Sequence, residues 1–416
     1  MSGEKNWDVV IVGAGPAGLM VAIPCAEARL RTLVLDGSNT IGAKLLISGG
    51  GRCNVTNLKA TENDYQTGAP RTVRNVLRAF PTERTLEFFQ ELGVEMVLEE
   101  GTKYFPKAQS AKVVLLALLQ AARHAGVVIE QGKKVKTVSK EQGIFRVLGE
   151  GLECFTKTLV IATGGLSYPG TGSDGSGYLL ARSLGHSLIA TTPALTPLLT
   201  NDSDWKSLAG ITIPVALSIV QDGKKTAGSE GALLFTHVGF SGPAVLDISG
   251  PWLRSEAKQK ELLLNFLPER RETEIVAEFA RLVAAHGDRS WKRSLTAHFP
   301  ERLVEVLLKR NGIDPKMRLD QVARKSREAF VHFLFHCPVR VTGAQGYEKA
   351  EVTAGGVNVN EVDAKTLESK LSPGLFFAGE VLDVDGRIGG FNFQWAWASG
   401  AVVGRAILRA VTESQA

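Results

Sequence analysis

The first residues able to do chemistry stand close to the start of the chain. Gly13-Ala14-Gly15-Pro16-Ala17-Gly18 follows the apolar run Asp8–Val12 and leads into a helical stretch to about Ala28; Leu33-Val34-Leu35 then ends at Asp36. Strand, glycine turn, helix, strand and acid in that order form the first βαβ unit of a dinucleotide-binding fold. Gly13 permits the tight turn, Gly15 lets the backbone approach a pyrophosphate, and Gly18 lets helix and strand pack closely. Pro16 and Ala17 begin the helix, whose free N–H groups and positive dipole end suit phosphate. Asp36, with Gly37 after it, should accept hydrogen bonds from ribose hydroxyls, and its charge disfavours a 2′-phosphate and so NADP at this site.

A second constellation is Lys44-Leu45-Leu46-Ile47-Ser48-Gly49-Gly50-Gly51-Arg52-Cys53-Asn54. Three consecutive glycines suit a loop pressed against a ligand, and Lys44 and Arg52 supply charge where a phosphate or a reduced ring needs it. Two later runs are of the same kind. Thr158–Ala162 ends in Thr163-Gly164-Gly165, and Leu375–Ala378 ends in Gly379-Glu380. Asp385, Gly389 and Gly390 precede Phe391 and Asn392, where the last helix begins. A helix N-terminus there stabilises a flavin whose N1–C2=O2 edge becomes anionic on reduction. FAD is therefore the expected cofactor, with Val135 counted among the positions that face it.

The elements that must hold these residues follow from periodicity. Pro81–Leu92 and Ala111–His124 are expected as amphipathic helices, and 127–130, 135–138 and 144–147 as strands, the last two in an antiparallel meander. The pattern changes between Thr191 and Val341. Three pieces are expected: an FAD-binding domain from 1–190 and 342–416, a β-rich insert from 191–253 and 331–341, and a helical insert from 254–330. Between Thr191 and Val341, Glu272–Ala285, Glu301–Lys309 and Leu319–Phe335 read as helices.

Composition narrows the class. Of 416 residues 44% are hydrophobic and 22% charged, which excludes disordered, collagen-like and fibrous chains. Cys25, Cys53, Cys154 and Cys337 form no C-x-x-C pair, so neither a disulfide framework nor a redox dithiol is expected. Met1–Asp8 carries Glu4 and Asp8 and does not read as a signal peptide; a cytoplasmic protein without a membrane span is expected. The net charge is +5, and Arg254–Arg340 alone holds 18 Lys/Arg against 12 Asp/Glu.

VIVGAGPAGLMVA, KLLISGGGRCNVTN, ATGGLSYPGTGSDGSGY, LLFTHVGFSGPAVL and GLFFAGEVLDVDGRIGGFNFQWAWASG together resemble the BaiN/YhiN-like family of FAD-dependent oxidoreductases, over nearly the whole chain. The resemblance implies an α/β fold, with a Rossmann-like FAD domain of glutathione-reductase type and an inserted lobe, part β-barrel-like and part helical. It also implies either NAD(P)H-dependent reduction of an enone-type substrate or aminoacetone-type oxidation by oxygen. The family usually carries Gly-Arg-Lys where this chain has Gly42-Ala43-Lys44, which leaves Lys44 and Arg52 as the basic groups near the cofactor.

No second GxGxxG is present, so either NAD(P)H docks transiently at the flavin, or the substrate reduces it and oxygen or a quinone reoxidises it. Hydride-type reduction of an activated C=C or carbonyl-type small molecule also needs a positioned acid. Tyr168, His237 and Arg387 are the candidates for proton transfer or substrate binding. A nucleic-acid partner for the basic segment is the less favoured alternative, since no RNA- or DNA-binding signature accompanies it. His332 and His336 have metal-ligand spacing but no H-E-x-x-H glutamate, so no metal is expected. Gly15→Val should abolish FAD binding, measured as loss of the flavin absorbance from the purified protein.

Overall fold

The computed structural model describes residues 5–257 and 259–415; Met1–Glu4, within the stretch read as lacking a signal peptide, lies outside the described residues. The chain forms two compact units, residues 1–193 with 350–416, and residues 194–349.

The first unit is built on strands β1 (Asn6–Val12), β2 (Thr32–Leu35), β3 (Val128–Glu130), β4 (Val135–Glu141), β5 (Ile144–Gly149), β6 (Leu152–Ile161) and β7 (Leu375–Phe377). The order β3-β2-β1-β6-β7 is parallel, and β4 and β5 join β6 as the expected antiparallel meander. The carboxyl-terminal parts of the central strands are apolar because both faces are covered there; Val10, Ile11, Val34, Leu159 and Val160 are buried. Register decides the rest. Val12 pairs with both Leu35 and Ile161, and Ile161 pairs with Phe377. The parallel strands therefore end level, and the segments that follow them, at Gly13, Asp36, Ala162 and Ala378, leave from one edge of the sheet. Ligands of such sheets bind beyond the carboxyl ends of the strands.

Helix α1 (Pro16–Glu27) covers the sheet, and α2 (Phe391–Gln415) lies across α1. Their approach depends on small residues: a Cβ at Gly400 would lie 2.6 Å from the Ala17 carbonyl and 2.7 Å from Met20 Cβ. The helix Thr82–Glu91 and the helix Ala111–Ala125 fall where periodicity placed them. The helix Pro70–Ala79 and the small antiparallel sheet of Thr56–Asn57, Met96–Glu99 and Lys103–Pro106 were not anticipated. Strands of two to four residues are too short to show a period.

The second unit carries a seven-stranded antiparallel sheet in the order Cys337–Val339, Lys260–Asn265, Thr212–Gln221, Lys224–Phe235, Gly239–Ser241, Leu198–Leu199, Gly343–Ala344. Lys260–Asn265 lies within 254–330, read as helical, and is a strand; its alternating burial shows a sheet with one face on the core. Helices Glu272–His286, Glu301–Arg310 and Arg324–Phe335 pack in the same unit around Trp291, Leu303 and Phe330. The expected helix Leu319–Phe335 is shorter: Leu319–Gln321 is a single 3₁₀ turn, and the α-helix starts at Arg324. Among the described residues, no helix is long and apolar enough to cross a membrane.

Gly400→Leu should force α1 and α2 apart at a cost of about 1–3 kcal/mol. The expected readout is a lower melting temperature; an unchanged one would mean that the helices separate without penalty.

Candidate functional site

The glycines of the first turn divide by what surrounds them. Gly13 has φ +109°, and a Cβ there would lie 2.4 Å from the Ala162 carbonyl; one at Gly18 would lie 2.0 Å from the Gly13 carbonyl. These two are demanded by the protein's own packing. Gly15 is extended, and a Cβ there would meet nothing within 4 Å. The space before the α1 N-terminus, where Pro16 and Ala17 start the helix, is open. It fits a diphosphate facing unpaired backbone N–H groups. Asp36 turns back on this loop: Oδ2 accepts from Ala14 N–H at 2.7 Å and Oδ1 from Ser38 N–H at 2.8 Å. Each oxygen keeps a lone pair for a ribose hydroxyl. Gly37 packs on Lys134, next to the buried Val135.

The Lys44–Asn54 segment is helical from Ala43 and breaks at Ser48, Gly49 and Gly50, the glycines having φ +54° and +68°. Cβ atoms at Gly50 and Gly51 would also point into open space, apart from the Leu46 carbonyl at 3.9 Å from the latter. The structure places three further residues of this segment. Arg52 was expected to face phosphate or flavin; its guanidinium instead binds Glu99 and Gln109, both at 2.9 Å, over the Phe105 ring. Cys53 is fully buried and its thiol is pushed up to about 12 by burial, so it is no thiolate nucleophile. Asn54, with its amide nitrogen toward the Thr56 and Tyr104 carbonyls, accepts from Gly390 N–H at 3.2 Å and so braces the last helix.

The centre of the polar network is Glu380, on the turn after β7. Its Oε2 receives Lys44 Nζ at 2.6 Å, and its Oε1 receives Ser167 Oγ and Thr353 N–H, both at 2.9 Å. Lys44 Nζ also donates to Ser167 Oγ at 2.5 Å, and Thr353 Oγ1 accepts from Leu166 and Ser167 N–H. A Cβ at Gly165 would lie 2.5 Å from Thr353 Oγ1 and 2.9 Å from Glu380 Oε1. The Thr163-Gly164-Gly165 end of β6 is therefore small because this network fills the space beside it. Tyr168 follows directly, in a left-handed conformation with φ +53°. Its hydroxyl lies within interaction range of the Glu351 carboxyl. Burial pushes the Tyr168 hydroxyl up, and Glu351 adds to it. Burial also pushes Glu351 above the ordinary carboxylate value, against the opposing pull of Lys44. Sequence reading missed Glu351, Ser167 and Thr353, whose place is set by long-range packing.

The α2 N-terminus is held from several directions. Gly390 has φ +94°, and a Cβ there would lie 2.6 Å from the Thr56 carbonyl carbon. Asn57 Nδ2 donates to the Gly389 carbonyl at 2.9 Å, and Tyr65 Oη to the Phe391 carbonyl at 2.8 Å. Asn392 bonds both backbone groups of Gly386, next to the buried Asp385. The buried Gln394 accepts from Thr56 and Thr85, and Trp395 Nε1 donates to the Gly379 carbonyl. Arg387 lies over the Phe391 ring and 3.6 Å from Asp64, largely exposed. His237 belongs to the other unit, in an exposed turn before Gly239–Ser241.

Three ligand-facing groups thus converge on one sheet edge: open space at Gly15, a carboxylate at Asp36 and the rigid N-terminus of α2. They fit FAD: phosphates at the first, adenosine ribose at the second, the flavin edge at the third. Lys44→Met should leave Glu380 partly buried without its cation and lower the melting temperature. In a double-mutant cycle with Glu380→Gln the coupling should reach roughly 1–3 kcal/mol; additive effects would break the assignment of Glu380 as the hub.

Comparison with known proteins agrees with this geometry. The family described as HI0933-like protein Rossmann domain matches residues 7–406. The chain is 34% identical over 403 residues to the ribosomal RNA dihydrouridine synthase of Escherichia coli, covering 95% of this chain and 96% of the relative. It is 32% identical to the 3-dehydro-bile acid delta(4,6)-reductase of Clostridium scindens, covering 95% and 98%. It is likewise 32% identical to the ribosomal RNA dihydrouridine synthase of Haemophilus influenzae, covering 94% and 96%. On its sequence, its parallel sheet and its glycine cradle, the chain belongs to the HI0933-like family of FAD-binding Rossmann oxidoreductases.

Proposed function

We propose that this protein is an FAD-dependent reductase of a carbon–carbon double bond conjugated to a carbonyl, acting on the uracil ring of ribosomal RNA. The observation that carries this reading is the chemistry shared by the full-length relatives. A dihydrouridine synthase adds two hydrogens across the uracil C5=C6 bond, and a 3-dehydro delta(4,6)-reductase acts on double bonds conjugated to a 3-ketone. Both reactions need a hydride at the carbon β to the carbonyl and a proton at the α carbon. FAD held at Gly15, Asp36 and the α2 N-terminus would supply hydride chemistry at its N5, with NAD(P)H as the source of electrons.

The residues of the chain supply the rest. Tyr168 delivers the proton from its hydroxyl and recovers it through Glu351, whose carboxyl burial holds above the ordinary carboxylate value. Lys44, fixed by Glu380 and Ser167, keeps positive charge beside this pair. The excess of cations in 254–340 supports an anionic polymer as substrate over a free steroid. The bile-acid relative, matched over the same length, makes a steroid enone the second reading.

Anaerobic stopped-flow with NADH and NADPH tests the electron source: bleaching of the flavin by either supports the reductase, and no bleaching by both overturns the NAD(P)H linkage. The reduced enzyme is then mixed with unmodified ribosomal RNA or with a 3-keto-4-ene steroid. Reoxidation together with dihydrouridine in the digested RNA is the expected outcome; turnover of the steroid alone selects the second reading. Tyr168→Phe should slow reoxidation by substrate about 10²–10⁴-fold while leaving reduction by NAD(P)H unchanged.

A further inference from the structure

Three side chains distant in sequence meet on the surface of the 194–349 unit. His332 lies in the last turn of the helix Arg324–Phe335, His336 caps that helix, and Glu272 is the first residue of the helix Glu272–His286. The Glu272 carboxylate spans both rings. His332 Nδ1 is 2.9 Å from Oε1, and His336 Nε2 is 3.1 Å from Oε2. The ring centroids are 4.5 Å apart, and one ligand atom from each residue lies within 4.8 Å of the others.

We propose that Glu272, His332 and His336 bind one divalent transition-metal ion of the zinc, nickel and copper class. The i, i+4 spacing places the two imidazoles on one helix face a turn apart. The acid that sequence reading sought beside them, and did not find, arrives from another helix 60 residues upstream. Bonds of about 2.1 Å in a tetrahedral arrangement set ligand atoms roughly 3.4 Å apart. The two N···O separations already lie near that spacing. Two neutral imidazoles and one carboxylate carry a single negative charge, and this donor set selects borderline ions over magnesium or calcium. Burial pushes the Glu272 carboxyl up, but hydrogen bonds from the two histidines outweigh it, so the group stays ionised.

Binding requires little rearrangement. The ring nitrogens that now face the carboxylate, His332 Nδ1 and His336 Nε2, turn a lone pair to the metal. The side chains are 34%, 64% and 46% exposed in the order Glu272, His332, His336, so water can fill the remaining coordination positions. The bound ion ties the start of one helix to the end of another, and stabilises the unit to the extent that it binds only the folded chain.

The test uses the full chain, untagged, with FAD bound and stripped of metal by a chelator. Zinc is titrated in competition with a chromophoric chelator. One ion per chain is expected, with affinity falling at least about tenfold in each of His332→Ala, His336→Ala and Glu272→Gln. Zinc should also raise the melting temperature of the parent chain and not that of the His332→Ala/His336→Ala double variant. Because the two histidines are exposed and Glu272 is half-buried, the variants should keep the circular dichroism spectrum of the parent, which confirms that they fold. Equal zinc affinity in parent and double variant, or no saturable zinc binding by the parent, overturns the site.

Discussion

One carboxylate holds the chemistry of the first unit in place. Glu380 accepts hydrogen bonds from Lys44, Ser167 and Thr353, so segments hundreds of residues apart in sequence share a single anion. Each partner then determines its own surroundings. Ser167 and Thr353 fix the loop that sets Tyr168, Lys44 closes the segment with the triple glycine, and Glu380 itself sits on the turn after β7. A hydrogen bond to an ionised group is worth more than one between neutral groups, and more so where water is largely excluded. The neighbouring Gly165 has no side chain because any Cβ would enter this network.

The parts of the fold most legible in the sequence were those set by short-range rules. DVVIV before GAGPAG, and LVLD after it, specify a βαβ unit because each residue type answers a local steric need. The level ends of β1, β2, β6 and β7 follow once those runs are recognised as buried parallel strands. Less was legible where tertiary contacts decide. Nothing local marks Glu351 as buried, or shows that Arg52 spends its charge on Glu99. The strand Lys260–Asn265 was hidden because its KELLLN run is equally compatible with a helix. Only its partners in the sheet identify it.

The same distinction applies to charge. An excess of cations in 254–340 is visible in the sequence, yet many of these side chains meet acids in the folded unit: Arg270 with Glu278, Lys292 with Glu301 and Glu305, Arg310 with Asp202, Arg324 with Glu328. The exposed pairs among these, all but the part-buried Arg310–Asp202, add little stability, and none of them cancels the net field. What remains is the net positive charge of the segment. Net charge favours encounter with a polyanion more than recognition of a particular sequence in it.

The discontinuity of the first unit has a consequence in time. Its sheet lacks β7, and α1 lacks the α2 surface against which it packs, until the whole of 194–349 has been made. A chain emerging from the ribosome therefore completes the intervening unit before the nucleotide cradle can close. During that interval the apolar face of α1 and one flank of β6 wait without their partners. Capture of the cofactor therefore waits until β7 and α2 have been made, and α2 serves as the latch on the cradle.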